Sequence, residues 1–270
     1  MGHRTLRAEV DGGVGRLTLA RPDAGNSINL TMAEELDDVT KAWSVDPNVR
    51  AVLVQGEGST FCVGGDLKSF ATQSDLPAHL TAITTHLHAA ISRLAGMDAP
   101  VVVAVHGSAA GAGCSLAAVS DLVLAGASSR FVMAYTAIGL TPDGSGSWAL
   151  PRVIGLRRAL ELTLTNRQLT AAEAVDAGLA TRIVADDDLR DEAERLASSL
   201  AAGPTGALGA AKRLLRGSLA HDLETQMTLE AEALATAAAS ADGREGIAAF
   251  LEKRAPRFGD RSRAARRGDQ

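Results

Sequence analysis

The chain has little of several things, and each shortage excludes a class of protein. Two cysteines in 270 residues, Cys62 and Cys114, cannot build a disulfide framework, and both are expected to be reduced. Aromatic residues make up 3% of the chain, with a single tyrosine, and the Ala-rich helices of the C-terminal third, with few aromatics to build a core of their own, are expected to pack on a neighbouring subunit. Excess positive charge is missing too. The formal net charge is −5, which excludes an overall nucleic-acid footprint. Only the tail is strongly basic, with Arg261, Arg263, Arg266 and Arg267, and it is expected to be a frayed, solvated end. No apolar run reaches the length of a membrane span, and no basic-then-apolar leader follows Met1. The expectation is a cytoplasmic protein without membrane or nucleic-acid partners.

What is present is a soluble composition, 46% hydrophobic and 22% charged, sufficient for a sizeable core. Thr5–Val10 and Val14–Ala20, joined by Asp11-Gly12-Gly13, predict a hairpin. A polar loop follows from Arg21 to Asn26, and Thr31-Met-Ala-Glu34 reads as a capping box opening a helix through about Ser44. Ala51–Gln55, Val101–Val105 and Leu122–Ala125 read as buried strands, and Phe131–Ala134 as a further short one. Residues 69 to about 82 predict a loop, and Ile83–Leu94 a helix. Past Asp143 helical patterns dominate, among them a capping box Thr170-Ala-Ala-Glu173 closed by Gly178. This β-turn-α recurrence without a strict repeat predicts an α/β fold of parallel, stacked units closed by a helical layer.

Two small-residue turns stand out. Gly107-Ser-Ala-Ala-Gly-Ala-Gly-Cys-Ser115 lies between a buried strand and a helix start, where unpaired N–H groups and the helix dipole favour an anion or a developing oxyanion. Phe61-Cys-Val-Gly-Gly-Asp-Leu67 repeats that logic after the preceding strand. Packing alone would also select small residues at both turns.

Taken together, four stretches resemble the enoyl-CoA hydratase/isomerase, or crotonase, superfamily: Arg21-Pro-Asp-Ala-Gly-Asn-Ser-Ile-Asn29, Phe61–Leu67, His106-Gly-Ser-Ala-Ala-Gly-Ala-Gly-Cys-Ser-Leu116 and Gly139-Leu-Thr-Pro-Asp143. A fifth, Asp242-Gly-Arg-Glu-Gly-Ile-Ala-Ala-Phe-Leu-Glu-Lys253, resembles the closing helix of that family. The resemblance implies a crotonase-like spiral of ββα units over residues 1–200 and a C-terminal helical oligomerisation region over 201–270. It also implies a homotrimer or dimer of trimers, an acyl-CoA thioester substrate, no metal, and no cofactor beyond the CoA moiety of that substrate. The matching positions make the backbone N–H groups of Gly65 and Ala112 the donors that polarise a thioester carbonyl. Arg21, Ala24, Val63, Leu67 and Lys68 match positions along the CoA, with Arg21 and Lys68 as phosphate contacts.

Hydratases of this superfamily use two glutamates, and the matching positions here are Ser115 and Tyr135. Neither is a carboxylate, and neither hydroxyl is a good general base at neutral pH. Asp143 matches the aspartate of the isomerases, including ring-opening isomerases acting on phenylacetyl-CoA derivatives, and of the aryl-CoA dehalogenases. A single carboxylate beside an oxyanion hole suffices for a proton shuttle. Ser115, Tyr135, Leu140 and Trp148 are expected to line the acyl pocket. The alternatives are a divergent hydratase, or an acyl-CoA binder whose Asp143 is only the turn residue that Pro-Asp-Gly encodes.

Other patterns carry less. Gly113-Cys-Ser115 echoes a nucleophile elbow, but the only histidine after it, His221, lies in the expected C-terminal helical region. His86 and His88 diverge on a helix, and no nearby Cys, Asp or Glu completes a metal set. Asp66 and Asp121 are expected to satisfy nearby backbone N–H groups, and Cys62 and Cys114 to be small core residues.

Overall fold

A computed structural model describes residues 3–259, so the basic residues Arg261, Arg263, Arg266 and Arg267 lie outside the described residues. The predicted hairpin forms as β1 (Leu6–Asp11) and β2 (Val14–Leu19), with Asp11 opposite Val14 and Leu6 opposite Leu19. Next come α1 (Leu30–Trp43), β3 (Ala51–Gly56), α2 (Leu67–Phe70), α3 (Leu76–Gly96), β4 (Val101–Val105), β5 (Ser108–Ala110) and α4 (Ala112–Val119). The middle of the chain adds β6 (Leu122–Gly126), β7 (Arg130–Val132), α5 (Gly146–Ile154), α6 (Leu156–Thr165), β8 (Leu169–Thr170), α7 (Ala171–Ala177) and β9 (Arg182–Val184). Then α8 (Leu189–Ala201), α9 (Thr205–Gly217), α10 (Leu223–Ala239) and α11 (Ala241–Leu251) complete the described chain.

Six strands form one sheet in the order β1-β2-β3-β4-β6-β9, all parallel neighbours after the hairpin. The three short strands β5, β7 and β8 form a second sheet. Alternation on the central strands divides the core. Val52, Val54, Val101, Val103 and Val105 join the cluster that includes α1 and α3, whereas Leu53, Val102, Ala104 and Leu124 join Leu189, Ala193, Ala197 and Ala201 of α8. The fourfold spacing of those α8 residues puts them on one helix face, and three alanines let the helix approach the sheet closely.

Several boundaries differ from the sequence expectation. Helix α1 is capped by Asn29, whose side chain accepts the Met32 N–H at 3.0 Å, so Thr31 lies inside the first turn and Glu34 beyond it, and the expected capping box does not form. Residues 69–82 are largely helical. Asp75 caps α3 by accepting the Ala78 N–H at 3.0 Å, and Pro77 sits in the first turn, where its missing N–H costs nothing. The exposed, polar start of α3 hides the period by which a helix is recognised. The short strands β5, β8 and β9 were also illegible, because two or three residues carry no pattern. The Thr170–Glu173 capping box forms as read, with Gly178 closing α7.

Helix α9 is tied to the sheet through Asp121 at the start of β6. Its carboxylate accepts the Val101 N–H at 2.8 Å and pairs with Lys212 at 2.7 Å and Arg216 at 2.8 Å. The Lys212 ammonium also donates to the Leu94 carbonyl at 2.9 Å. Burial pushes the Lys212 pKa down despite the opposing charge of Asp121, so the ion pair is held at a desolvation cost.

Candidate active site

Adjacent parallel strands β3 and β4 both run, past their C-terminal ends, into the two small-residue turns. This is the edge at which an open parallel sheet offers a crevice. The turns are stitched together by backbone pairing: Phe61 N–H donates to the His106 carbonyl at 2.9 Å, Cys62 N–H to Ser108 at 3.1 Å, and Ala110 N–H to Cys62 at 2.9 Å. Gly64, at φ +91°, sits against the second turn. A Cβ there would lie 3.0 Å from the Ala110 carbonyl oxygen and 3.3 Å from the Ala112 nitrogen. Only glycine allows the two turns to meet so closely.

The meeting leaves two amides unused. Gly65 N–H is passed over, because Ile28 pairs instead with the Gly64 carbonyl at 2.7 Å and the Asp66 N–H at 3.0 Å. Ala112 is the first residue of α4, so its N–H is an unpaired helix-start donor on the positive end of the dipole. Among the described residues no acceptor meets either group. Gly65 is half-buried under the Phe70 ring, whose Cζ would lie 2.7 Å from a Cβ at that position, and Ala112 is buried.

The early loop braces the first turn. Asn26, fully buried, accepts the Arg21 N–H at 2.8 Å and donates to the Glu57 and Thr60 carbonyls at 2.9 and 2.8 Å. Asn26 carries no sign of this role in the sequence beyond the resemblance, since nothing marks a polar loop residue as one that will be buried. Arg21 differs from the expected phosphate contact. Its guanidinium turns inward to Asp66 Oδ2 at 2.7 Å and to the Ser27 carbonyl. Burial alone would raise the Asp66 carboxyl, but hydrogen bonds from Arg21 and Ser69 and the Arg21 charge hold it below the usual carboxylate range. Asp66 thereby caps α2 and ties it to the loop. Val63, Leu67 and Lys68 are exposed along the rim of this turn, and Ala24 is half-buried beside Gly25, on which Val63 packs.

The acidic group arrives from the other side. The chain leaving β7 carries Tyr135, whose ring lies against Gly111, the residue before the second donor. Tyr135 Oη donates to Asp143 Oδ1 at 2.5 Å, and Ser115 Oγ lies 3.1 Å from the same hydroxyl. The Tyr135 proton is committed to the carboxylate, so Ser115 is the donor in the second bond. Burial and the Asp143 charge push the Tyr135 pKa well up, so the phenol stays protonated. Ser115 is fully buried and Tyr135 nearly so, forming the wall behind Asp143, which is half-buried. Leu140 is half-buried on the same segment. Trp148 is 43% exposed and carries the Arg152 guanidinium 4.0 Å over its ring. Cys62 and Cys114 are buried, their thiols pushed up to about 11 and about 12 by desolvation. Among the described residues no group of three or more His, Cys, Asp or Glu is placed to hold a metal ion, and no helix is long and apolar enough to cross a membrane.

An α/β fold with two acceptor-free amides past the ends of parallel strands, and a carboxylate held by Tyr135 next to the second of them, belongs to a class of site suited to an anionic oxygen. The comparisons agree with that class. The profile of the enoyl-CoA hydratase/isomerase family matches residues 9–261, and the chain belongs to that family of acyl-CoA enzymes. It is 40% identical to the 1,2-epoxyphenylacetyl-CoA isomerase of Escherichia coli over 94% of this chain and 97% of that protein. It is 37% identical to the "Probable enoyl-CoA hydratase" of Rhodobacter capsulatus, over 96% of this chain and 99% of that one. The crystal structure of an enoyl-CoA hydratase from Polaromonas sp. JS666 superimposes with a TM-score of 0.89 at 33% identity, covering 94% and 99% of the two chains.

Proposed function

We propose that this protein isomerises an acyl-CoA thioester by a single-carboxylate proton shuttle. The thioester oxygen is held by the N–H groups of Gly65 and Ala112. Asp143 removes an acidic proton from the acyl chain, the electrons move into the carbonyl to give an enolate, and the same carboxyl returns the proton at another carbon. Two amide donors suit this because each is worth roughly 3 kcal/mol of transition-state stabilisation and needs no reorganisation. The observation that carries the reading is the Ser115–Tyr135–Asp143 chain of hydrogen bonds. At the two positions where a hydratase holds water between carboxylates, this protein has hydroxyls spent on each other and on Asp143. Among the described residues, Asp143 is the only carboxylate hydrogen-bonded on this wall.

The name of the Escherichia coli relative supports an isomerase and suggests an arylacetyl-CoA epoxide among the substrates. Hydration of a 2-enoyl-CoA is the second reading, favoured by the name of the Rhodobacter capsulatus relative. A panel of enoyl-, dienoyl- and 1,2-epoxyphenylacetyl-CoA thioesters followed by mass spectrometry separates the two. A product of unchanged mass supports isomerisation, and a gain of one water overturns it.

The rim formed by Ala24, Val63, Leu67 and Lys68 is assigned to the CoA moiety, and no other cofactor enters the reaction. The helical region from residue 201 onward is assigned to self-association as a trimer or a dimer of trimers. Helix α10 buries none of its residues within the chain, and Leu215, Leu219, Leu223, Leu234 and Phe250 are all more than two-thirds exposed or nearly so, at 75%, 72%, 67%, 72% and 84%.

A further inference from the structure

The turn that presents Asp143 is held from outside the hydrogen-bond chain already described. Asp143 is followed by Gly144 at φ +56° and Ser145 at φ +70°, two successive residues in the left-handed region, the second carrying a Cβ. Such backbone is unfavourable and persists only where its surroundings fix it. From the C-terminal side, Gly146 N–H donates to the Asp143 carbonyl at 2.9 Å, and Trp148 and Ala149 N–H both donate to the Ser145 carbonyl, at 2.9 and 2.8 Å. From the opposite side, the buried Gly144 N–H donates to His88 Nε2 at 3.1 Å, reaching across to α3. Leu87 and Ile91 of the same helix lie against Gly144, with Cδ atoms 3.9 and 3.4 Å from where its Cβ would be.

An imidazole nitrogen accepts a hydrogen bond only while it carries a lone pair, so the proton of this ring must sit on Nδ1 and the ring must be neutral. The neighbouring histidine does something different: His86 Nδ1 meets Asp37 of α1 at 2.8 Å. No other acceptor among the described residues is placed on the Gly144 amide, and a buried N–H left unpaired costs about as much as a lost hydrogen bond.

We infer that His88 is a positioning residue, which fixes the Gly144 amide and through it the direction in which Asp143 presents its carboxylate. The inference rests on the reading of Asp143 as the base. His88 itself takes no proton from the substrate. Its function is that of an acceptor, and any side chain that accepts at the same point should replace it.

The test compares full-length His88→Ala and His88→Gln with the wild type, and runs Asp143→Asn alongside. The Gln amide oxygen keeps an acceptor where Ala has none. Hydrogen–deuterium exchange of the peptide spanning residues 140–148 is followed by mass spectrometry, and kcat and KM are measured on the thioester the wild type converts. The expected result is that His88→Ala speeds exchange of that peptide and lowers kcat about tenfold, the kinetic equivalent of one hydrogen bond, with KM little changed. His88→Gln should restore both. Wild-type exchange and kcat in His88→Ala would overturn the inference. So would a His88→Gln protein whose exchange is normal but whose kcat is as low as that of His88→Ala, because the imidazole would then be doing proton chemistry itself. If Asp143→Asn keeps full turnover, the base assignment falls, and the exchange comparison still decides whether His88 holds Gly144.

Discussion

Tyr135 donates its only hydroxyl proton to Asp143 Oδ1 at 2.5 Å, and it does so from behind the carboxylate, in a wall that also buries Ser115. One carboxylate oxygen is thereby occupied, and the phenol, pushed well up by burial and by the Asp143 charge, does not ionise in the working range. Tyr135→Phe removes a hydrogen bond to a charged group worth about 1.5 kcal/mol, so kcat should fall about tenfold. Steady-state kinetics checks this, and acyl-CoA affinity should hardly move, because the phenol faces Asp143 rather than the amide donors.

The proposed oxyanion hole depends on two turns meeting at a glycine. Gly64→Ala would place a Cβ 3.0 Å from the Ala110 carbonyl oxygen at a φ of +91°, which side chains rarely adopt. The turns must separate, carrying the Gly65 and Ala112 amides apart. Loss of one such donor costs about 100-fold or more in kcat. Calorimetric unfolding measured beside the kinetics should show a folded protein that is less stable by about 1 kcal/mol or more.

Stability should fall with acid in a defined direction. Asp37, Asp66 and Glu194 are held below the usual carboxylate range. For Asp37 and Asp66, burial opposes the shift and hydrogen bonds from His86 and Arg93, or from Arg21 and Ser69, outweigh it; for Glu194 the Arg16 hydrogen bond leads. A carboxyl whose folded pKa lies below its unfolded one contributes stability above the unfolded value, and that contribution is lost as pH falls through it toward the folded one. Tm should therefore be nearly level at neutrality and drop as pH passes below about 4. Asp66→Asn should lower the neutral Tm and flatten part of that drop.

The frame of the molecule was readable from residue patterns because its signals are long or chemically strong. The glycine hairpin at Gly12-Gly13, the apolar runs of β3 and β4 and the Thr170 capping box each state their structure locally. The two donor turns were visible as small residues between strands and helices. What was not visible is set by long-range contacts. Arg21 looked like a free cation in a loop until Asp66, 45 residues on, proved to be its partner. The two hydroxyls that replace the hydratase glutamates were legible only as absences, whereas in the fold they form a hydrogen-bonded chain to Asp143. His88 stood out only as one of two diverging helix histidines, because its acceptor role is defined by a turn 56 residues away.

The proposed mechanism requires Asp143 to move a proton between carbons of a bound thioester. The direct measurement is deuterium uptake from D2O into the acyl chain of the converted thioester, followed by NMR for the wild type and Asp143→Asn, with acyl-CoA binding measured in parallel by calorimetry. The expected result is deuterium at acyl carbons with the wild type, because the half-buried Asp143 carboxyl exchanges its proton with solvent while the enolate is held, and none with Asp143→Asn despite retained binding. Exchange at the wild-type rate in Asp143→Asn would contradict it.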